Sequence, residues 1–143
     1  MTVKPSTSSI RPYVVCAVLR GVSFTPRTYD SFIELQEQLH KNVCRGRRLV
    51  AIGTHDLDTL QPPFRYDALP PEEVSFVPLT ETDRVFNAKD LLVHYREDAS
   101  AKHLKPYTGI IFDSPVYPVI YDASDRVLSL PPIINGRHSR IQM

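Results

Sequence analysis

Thirteen prolines against five glycines constrain this chain more than any other feature. Six of them stand in three adjacent pairs, Pro62-Pro63, Pro70-Pro71 and Pro131-Pro132. Each proline fixes φ near about −65° and removes one backbone donor, so long uninterrupted strands are ruled out and stiff connections are favoured over hinges. The last pair sits in "RVLSLPPIINGRHSRI" (126–141). Val127, Leu128 and Leu130 read as a half-buried strand, which the prolyl pair must end or leave at a sheet edge. Ile133 and Ile134 then hold the chain against apolar surface, and Asn135-Gly136 closes the stretch with a dipeptide suited to positive φ. Ser129, Pro131, Pro132, Asn135 and Gly136 thus suit the wall of a small-molecule pocket. They suit a proline-terminated edge strand equally well, and the residues alone leave both readings open.

A length of 143 residues, 42% apolar and 23% charged, fits one soluble globular domain with a real core. No apolar run approaches the ~20 residues that span a bilayer. The opening "MTVKPSTSSIRP" lacks the basic and apolar regions of a secretory signal; residues 1–10 read as a flexible lead-in. A net charge of +1 demands no polyanionic partner, so RNA contact would have to come from local clusters. Cys16 and Cys44 have no CxxC-type neighbour, and no His/Cys/Asp group has zinc-ligand spacing. The chain reads as cytosolic and metal-free.

"RPYVVCAVLRGVSF" (11–24) carries the strongest strand signal, β-branched and continuously apolar at its centre. A helix follows, with Thr25 as N-cap and Pro26 in the first turn; Tyr29, Phe32, Ile33, Gln36, Leu39 and Val43 trace one face. Asp30 and Glu34 near its start and His40 and Lys41 near its end agree with the helix dipole, and Gly46 stops it. "RLVAIGTHDLDTL" (48–60) begins as a buried strand. Two proline pairs bracket "FRYDAL" as a loop. "EVSFVPL" (73–79) alternates as a strand, and Asn87 caps a short second helix through Tyr95, with Asp90 at N3. "EDASAKHLKPY" (97–107) allows one more helical turn. "TGIIFD" (108–113) and "YPVIYD" (117–122) read as strands, and "ASDR" as the turn joining the latter to "VLSL". Strands and helices mix without βαβ alternation. The class is therefore α+β, a mixed, largely antiparallel sheet with one long helix and one or two short ones.

Two further groups invite a functional reading. Thr54, His55, Asp56 and Asp58 lie just past an apolar run, where an imidazole beside carboxylates serves as a base or holds a water. They suit equally a strand-to-turn segment whose Thr54 and Asp56 satisfy local backbone donors. Arg45, Arg47 and Arg48 with Lys41 form a basic knot, either a phosphate contact or cations complementing a helix end. No nucleophile–base pair, phosphate loop or GxSxG is present.

Four stretches, "IRPYVVCAVLRGVSFT", "SFIELQEQLHKNVCRGRRLVAIGTHDLDTL", "PVYPVIYD" and "VLSLPPIINGRHSRI", together resemble the beta subunit of cytosolic, eukaryotic-type phenylalanyl-tRNA synthetase, in its central editing module. The match runs from about Ile10 to the C-terminus, so residues 11–143 correspond to the N-terminal part of that module. The resemblance implies a heterotetramer of two alpha and two beta subunits that joins phenylalanine to its tRNA with ATP and magnesium, the aminoacylation site lying in the alpha subunit. It implies that the beta module hydrolyses tyrosine wrongly attached to that tRNA. An apolar pocket rejects a substrate bearing one added hydroxyl only about a hundredfold, so a second sieve is useful. Carried over by position, His55 falls where relatives have an editing-pocket histidine. Ser129, Pro131 and Pro132 fall on the strand and corner lining the pocket, and Asn135 and Gly136 on the turn that closes it. His55 and Ser129 are the catalytic candidates, His55 orienting a water or the tRNA end. Thr54, Asp56, Pro131, Pro132, Asn135 and Gly136 are the substrate-binding candidates, and Arg45, Arg47 and Arg48 the RNA-binding ones. Neither metal nor cofactor is expected in this segment, nor a membrane; the expected partners are phenylalanine tRNA and the alpha subunit.

In the family a further strand after "SRI" carries an acidic residue and a threonine that recognise the tyrosyl hydroxyl. The chain is therefore expected to be part of a longer subunit and to edit poorly alone. The rival expectation is a non-catalytic scaffold that docks tRNA or the alpha subunit.

Overall fold

The computed structural model describes residues 1–142; residue 143, the last of the segment expected to form the N-terminal part of the module, lies outside the described residues. Two strands near the chain's end organise the molecule. β5 (Tyr117–Tyr121) and β6 (Val127–Leu130) are almost wholly buried and pair antiparallel as a hairpin. The expected turn between them is built on Asp122, whose buried carboxylate accepts from the Ser124 and Arg126 N–H groups and from the Arg126 guanidinium. β2 (Arg65–Leu69) flanks β5, antiparallel, and β1 (Thr2–Val3) extends the sheet in parallel with β2. β7 (Ile134–Asn135) closes the other side on β6. The five-stranded order β1-β2-β5-β6-β7 is mixed and mostly antiparallel, as expected for an α+β chain. A second, two-stranded sheet pairs β3 (Ser75–Phe76) with β4 (Phe86–Asn87).

Three helices accompany the sheets: α1 (Pro26–Lys41), α2 (Ala88–Glu97) and the single turn α3 (Lys105–Thr108). α1 starts as its sequence dictates. The Thr25 hydroxyl accepts from the Thr28 N–H and the Thr28 hydroxyl accepts from the Thr25 N–H, a reciprocal cap. Asn87 caps α2 through the Asp90 N–H at 2.8 Å. The core joins Ala88, Leu91, Leu92 and Tyr95 of α2 to Val74, Tyr117, Val119, Leu130 and Ile133. α1 contributes only His40 to the buried set; Tyr29, Phe32, Ile33, Gln36 and Leu39 are half-buried and Val43 is exposed. No helix of the described residues is long and apolar enough to cross a membrane.

Several local expectations fail, each for a physical reason. Residues 11–24 form no strand; Tyr13 is 91% and Val15 94% exposed. Strand propensity needs a partner ladder, and none of the described residues supplies one. Residues 48–53 likewise form no strand; among the described residues their one hydrogen bond to α1 is the Ile52 N–H donating to His40 Nε2 at 2.9 Å. "FRYDAL", read as a loop, is β2: its alternation buries Tyr66 and Ala68, and the Tyr66 hydroxyl donates to the Arg11 carbonyl. Residues 108–113 form no strand: Thr108 ends α3 and 109–113 are turn. "EVSFVPL" shrinks to β3 and one isolated bridge between Pro78 and Gly136. Residues 1–10 hold β1 and a 3-10 turn over Pro5–Ser9; β1 pairs with the edge of β2, and Asp67 accepts from the Ser6 hydroxyl.

Candidate functional site

The prolyl corner is the tight turn between β6 and β7. Ile133 N–H donates to the Leu130 carbonyl at 2.8 Å, and the Pro131–Pro132 peptide is cis. Pro132 is buried and Pro131 half-buried. The chain then passes through Asn135 and Gly136 into a 3-10 turn over Arg137–Ser139. Gly136 is required by close approach, since a Cβ there would collide with the Val127 carbonyl oxygen.

Four contacts clamp this corner to the distant segment 54–56. Asn135 Nδ2 donates to the Thr54 carbonyl at 3.4 Å, and the Asp56 N–H donates to the Ser139 carbonyl at 2.9 Å. His55 Nδ1 lies 2.8 Å from Ser139 Oγ. The Gln142 N–H reaches the Asp56 carboxylate at 3.3 Å, while that carboxylate also caps the 3-10 turn that follows by accepting from the Asp58 N–H. Helix α1 closes the third side: Gln36 Oε1 accepts from the Thr54 hydroxyl at 2.9 Å. The cavity between these elements, about 80 Å³, is lined by Tyr29, Ile33, Gln36, Thr54, Asn135 and Ser139 among others.

Thr54, His55, Asp56, Asn135 and Gly136 therefore come together. Ser129 joins them from behind: it is 7% exposed, and its hydroxyl donates to Asn135 Oδ1 at 3.1 Å, so it bears on the cavity through Asn135. Pro131 and Pro132 set the corner without lining the cavity. Among the basic residues, Arg45 and Arg48 are exposed. Arg47 is engaged elsewhere. Its guanidinium pairs with Glu37 at 3.1 Å, donates to the Ile133 carbonyl at 3.2 Å and lies 4.1 Å over the Tyr107 ring, stapling the end of α1 to the prolyl corner.

Burial first, and the neighbouring His138 second, push the His55 imidazole down to about 4. At pH 7 its ring is uncharged. A neutral imidazole keeps one lone pair, which accepts a hydrogen bond from water without holding a full proton. Two participants escaped the sequence reading. Ser139 has no motif to mark it, and along the sequence Gln36 is one position on an amphipathic face. The i+3 spacing of Gly136 and Ser139 across a short turn is the one signal that could have drawn notice.

Along its whole length the chain is 59% identical to the cytoplasmic phenylalanine–tRNA ligase beta subunit of Arabidopsis thaliana, 57% to the Drosophila melanogaster beta subunit and, over 141 residues, 55% to that of Homo sapiens. It belongs to the phenylalanine–tRNA ligase beta-subunit family. The chain spans about a quarter of the length of these curated relatives, 23 to 24%. A crystal structure of an N-terminal fragment of the Pyrococcus horikoshii phenylalanyl-tRNA synthetase beta subunit shares the fold with a TM-score of 0.86 at 32% identity, covering 99% of this chain and 39% of that one. No family model matches the chain.

Proposed function

We propose that these residues form part of an editing module that hydrolyses tyrosine mischarged onto phenylalanine tRNA, within an ATP- and magnesium-dependent phenylalanine–tRNA ligase. The observation that carries the reading is the clamp: it sets an uncharged imidazole against the Asn135–Ser139 corner, more than seventy positions away, beside a small cavity lined by Thr54, Asn135 and Ser139. In the hydrolysis, a water attacks the ester carbonyl, the bond to the ribose oxygen breaks, and that oxygen takes back a proton as tyrosine leaves. Neutral His55 orients the attacking water or the tRNA end. Thr54 and Asn135 supply polar edges, with Ser129 bracing Asn135. An aminoacyl group needs more room than the cavity here, since ligand pockets hold ~300–1,000 Å³; further walls come from the remainder of the longer subunit. ATP and magnesium belong to aminoacylation in the alpha subunit, with which this subunit assembles as two alpha and two beta chains in the cytoplasm. Among the described residues no three His, Cys, Asp or Glu side chains converge to hold a metal. Arg45 and Arg48 are free to meet tRNA phosphates.

The test is made in the complete ligase. Its His55→Ala variant should accumulate tyrosyl-tRNA while charging phenylalanine at the parental rate. Unchanged clearance of the mischarged tRNA sinks the proposal. A defect confined to tRNA affinity or subunit assembly favours the docking scaffold instead.

A further inference from the structure

Ser139 is 1% exposed and has two polar neighbours. Its Oγ lies 3.1 Å from the Gly136 carbonyl oxygen and 2.8 Å from His55 Nδ1. A serine hydroxyl has a single proton, and a carbonyl oxygen can only accept. Both contacts are satisfied together only when Ser139 donates to Gly136 and His55 Nδ1–H donates to Ser139. The hydroxyl has little freedom to do otherwise. The peptide that carries the Gly136 carbonyl is held by the Arg137 N–H bond to the Val77 carbonyl, Gly136 itself by its N–H bond to the Leu128 carbonyl and its close approach to Val127, and the Ser139 carbonyl by the Asp56 N–H.

The other ring nitrogen then has a defined role. His55 Nε2 makes no protein hydrogen bond among the described residues and borders the gap left by Gly53, whose missing Cβ would stand 3.3 Å from Nε2 and 3.1 Å from Asn135 Oδ1. We propose that Ser139 is a positioning residue: it holds His55 in the Nδ1–H tautomer and so presents Nε2 as a bare acceptor toward the gap beside Gly53 and Asn135. The tautomer assignment stands on geometry alone; its consequence for catalysis rests on the hydrolysis reading above. With the opposite tautomer Nε2–H would be a donor, unable to accept a hydrogen bond from an attacking water.

The tautomer is read by long-range ¹H–¹⁵N correlation on the histidine-labelled chain at pH 7. The unsubstituted protein should show His55 Nδ1 as the protonated nitrogen and Nε2 as the unprotonated one. The Ser139→Ala variant should move the ratio toward Nε2–H about fivefold, the factor that one neutral hydrogen bond supplies, and Ser139→Thr, which keeps the hydroxyl, should restore it. Nε2–H as the main form in the unsubstituted chain overturns the proposal without recourse to any variant. So does an Ala variant that stays folded with its His55 tautomer unchanged. In the complete ligase, Ser139→Ala should slow clearance of tyrosyl-tRNA in parallel with the tautomer shift. Should the spectra come out as expected while the unsubstituted ligase clears no tyrosyl-tRNA, the hydrolysis reading fails and the role of Ser139 toward His55 stands.

Discussion

His55 titrates far below a free imidazole, and that has a thermodynamic consequence. Its folded pKa, about 4, lies below the 6.5 of the unfolded chain because burial disfavours the cation, with His138 adding to the effect. Between those values the unfolded chain binds more protons than the folded one, so stability rises with pH. The contribution is complete above pH 6.5, declines as the pH falls toward 4, and amounts to roughly 3 kcal/mol at its limit. Urea unfolding at pH 7 and pH 4.5 should show a loss that shrinks in His55→Gln; an equal loss in both would place the titrating group elsewhere. The basic knot divides at the same level of detail. Arg47→Ala removes an ion pair, a carbonyl contact and a stacked ring at a side chain 13% exposed, and should cost about 1.5–3 kcal/mol. Arg45→Ala and Arg48→Ala should leave unfolding within about 0.5 kcal/mol. Sequence showed three similar arginines; only tertiary contacts tell them apart.

The two capped helices were legible because their start signals are local. A hydroxyl or amide side chain reaching three residues ahead requires nothing from the rest of the molecule, and both Thr25 and Asn87 act as their sequences indicate. Strands were not legible in the same way. Residues 11–24 have the higher β-propensity yet stay unpaired, whereas β2, interrupted by charge and bracketed by prolines, becomes an inner strand because β5 and β1 lie on either side. A ladder is a property of two segments, and propensity reports on one. The burial of α2 against the hairpin gives a quantitative expectation: Leu91→Ala should lower the unfolding free energy by about 2–5 kcal/mol. Asn87→Ala should cost about 1 kcal/mol. Denaturant unfolding measures both, and a Leu91→Ala loss below the Asn87→Ala loss would mean that α2 is not the core helix.

Across the whole molecule, well-packed and sparsely packed regions separate. α2, β5 and β6 share the core, while the segments before and after α1 keep Tyr13, Val15, Leu19, Val43 and Leu49 exposed. Backbone amides from 13 to 24 donate no hydrogen bond among the described residues, so in this 143-residue chain they should exchange with deuterium near random-coil rates while Val119 and Leu130 are protected. Slow exchange over 13–24 would show a pairing that the fold lacks. The site lies where the two regions meet, with α1 and segment 54–56 on one side and the prolyl corner on the other. Its residue types are visible along the sequence; their meeting is not, because it depends on Asn135, Ser139 and Gln142 reaching the backbone of Thr54 and Asp56 and the Asp56 carboxylate some eighty positions earlier. A double-mutant cycle on single-turnover clearance of tyrosyl-tRNA by the complete ligase asks whether the two sides act together. His55→Ala and Asn135→Ala should each slow clearance by about tenfold or more, and the double variant should be no slower than the slower single one. Multiplying losses, or no loss in any variant, would contradict a single shared site.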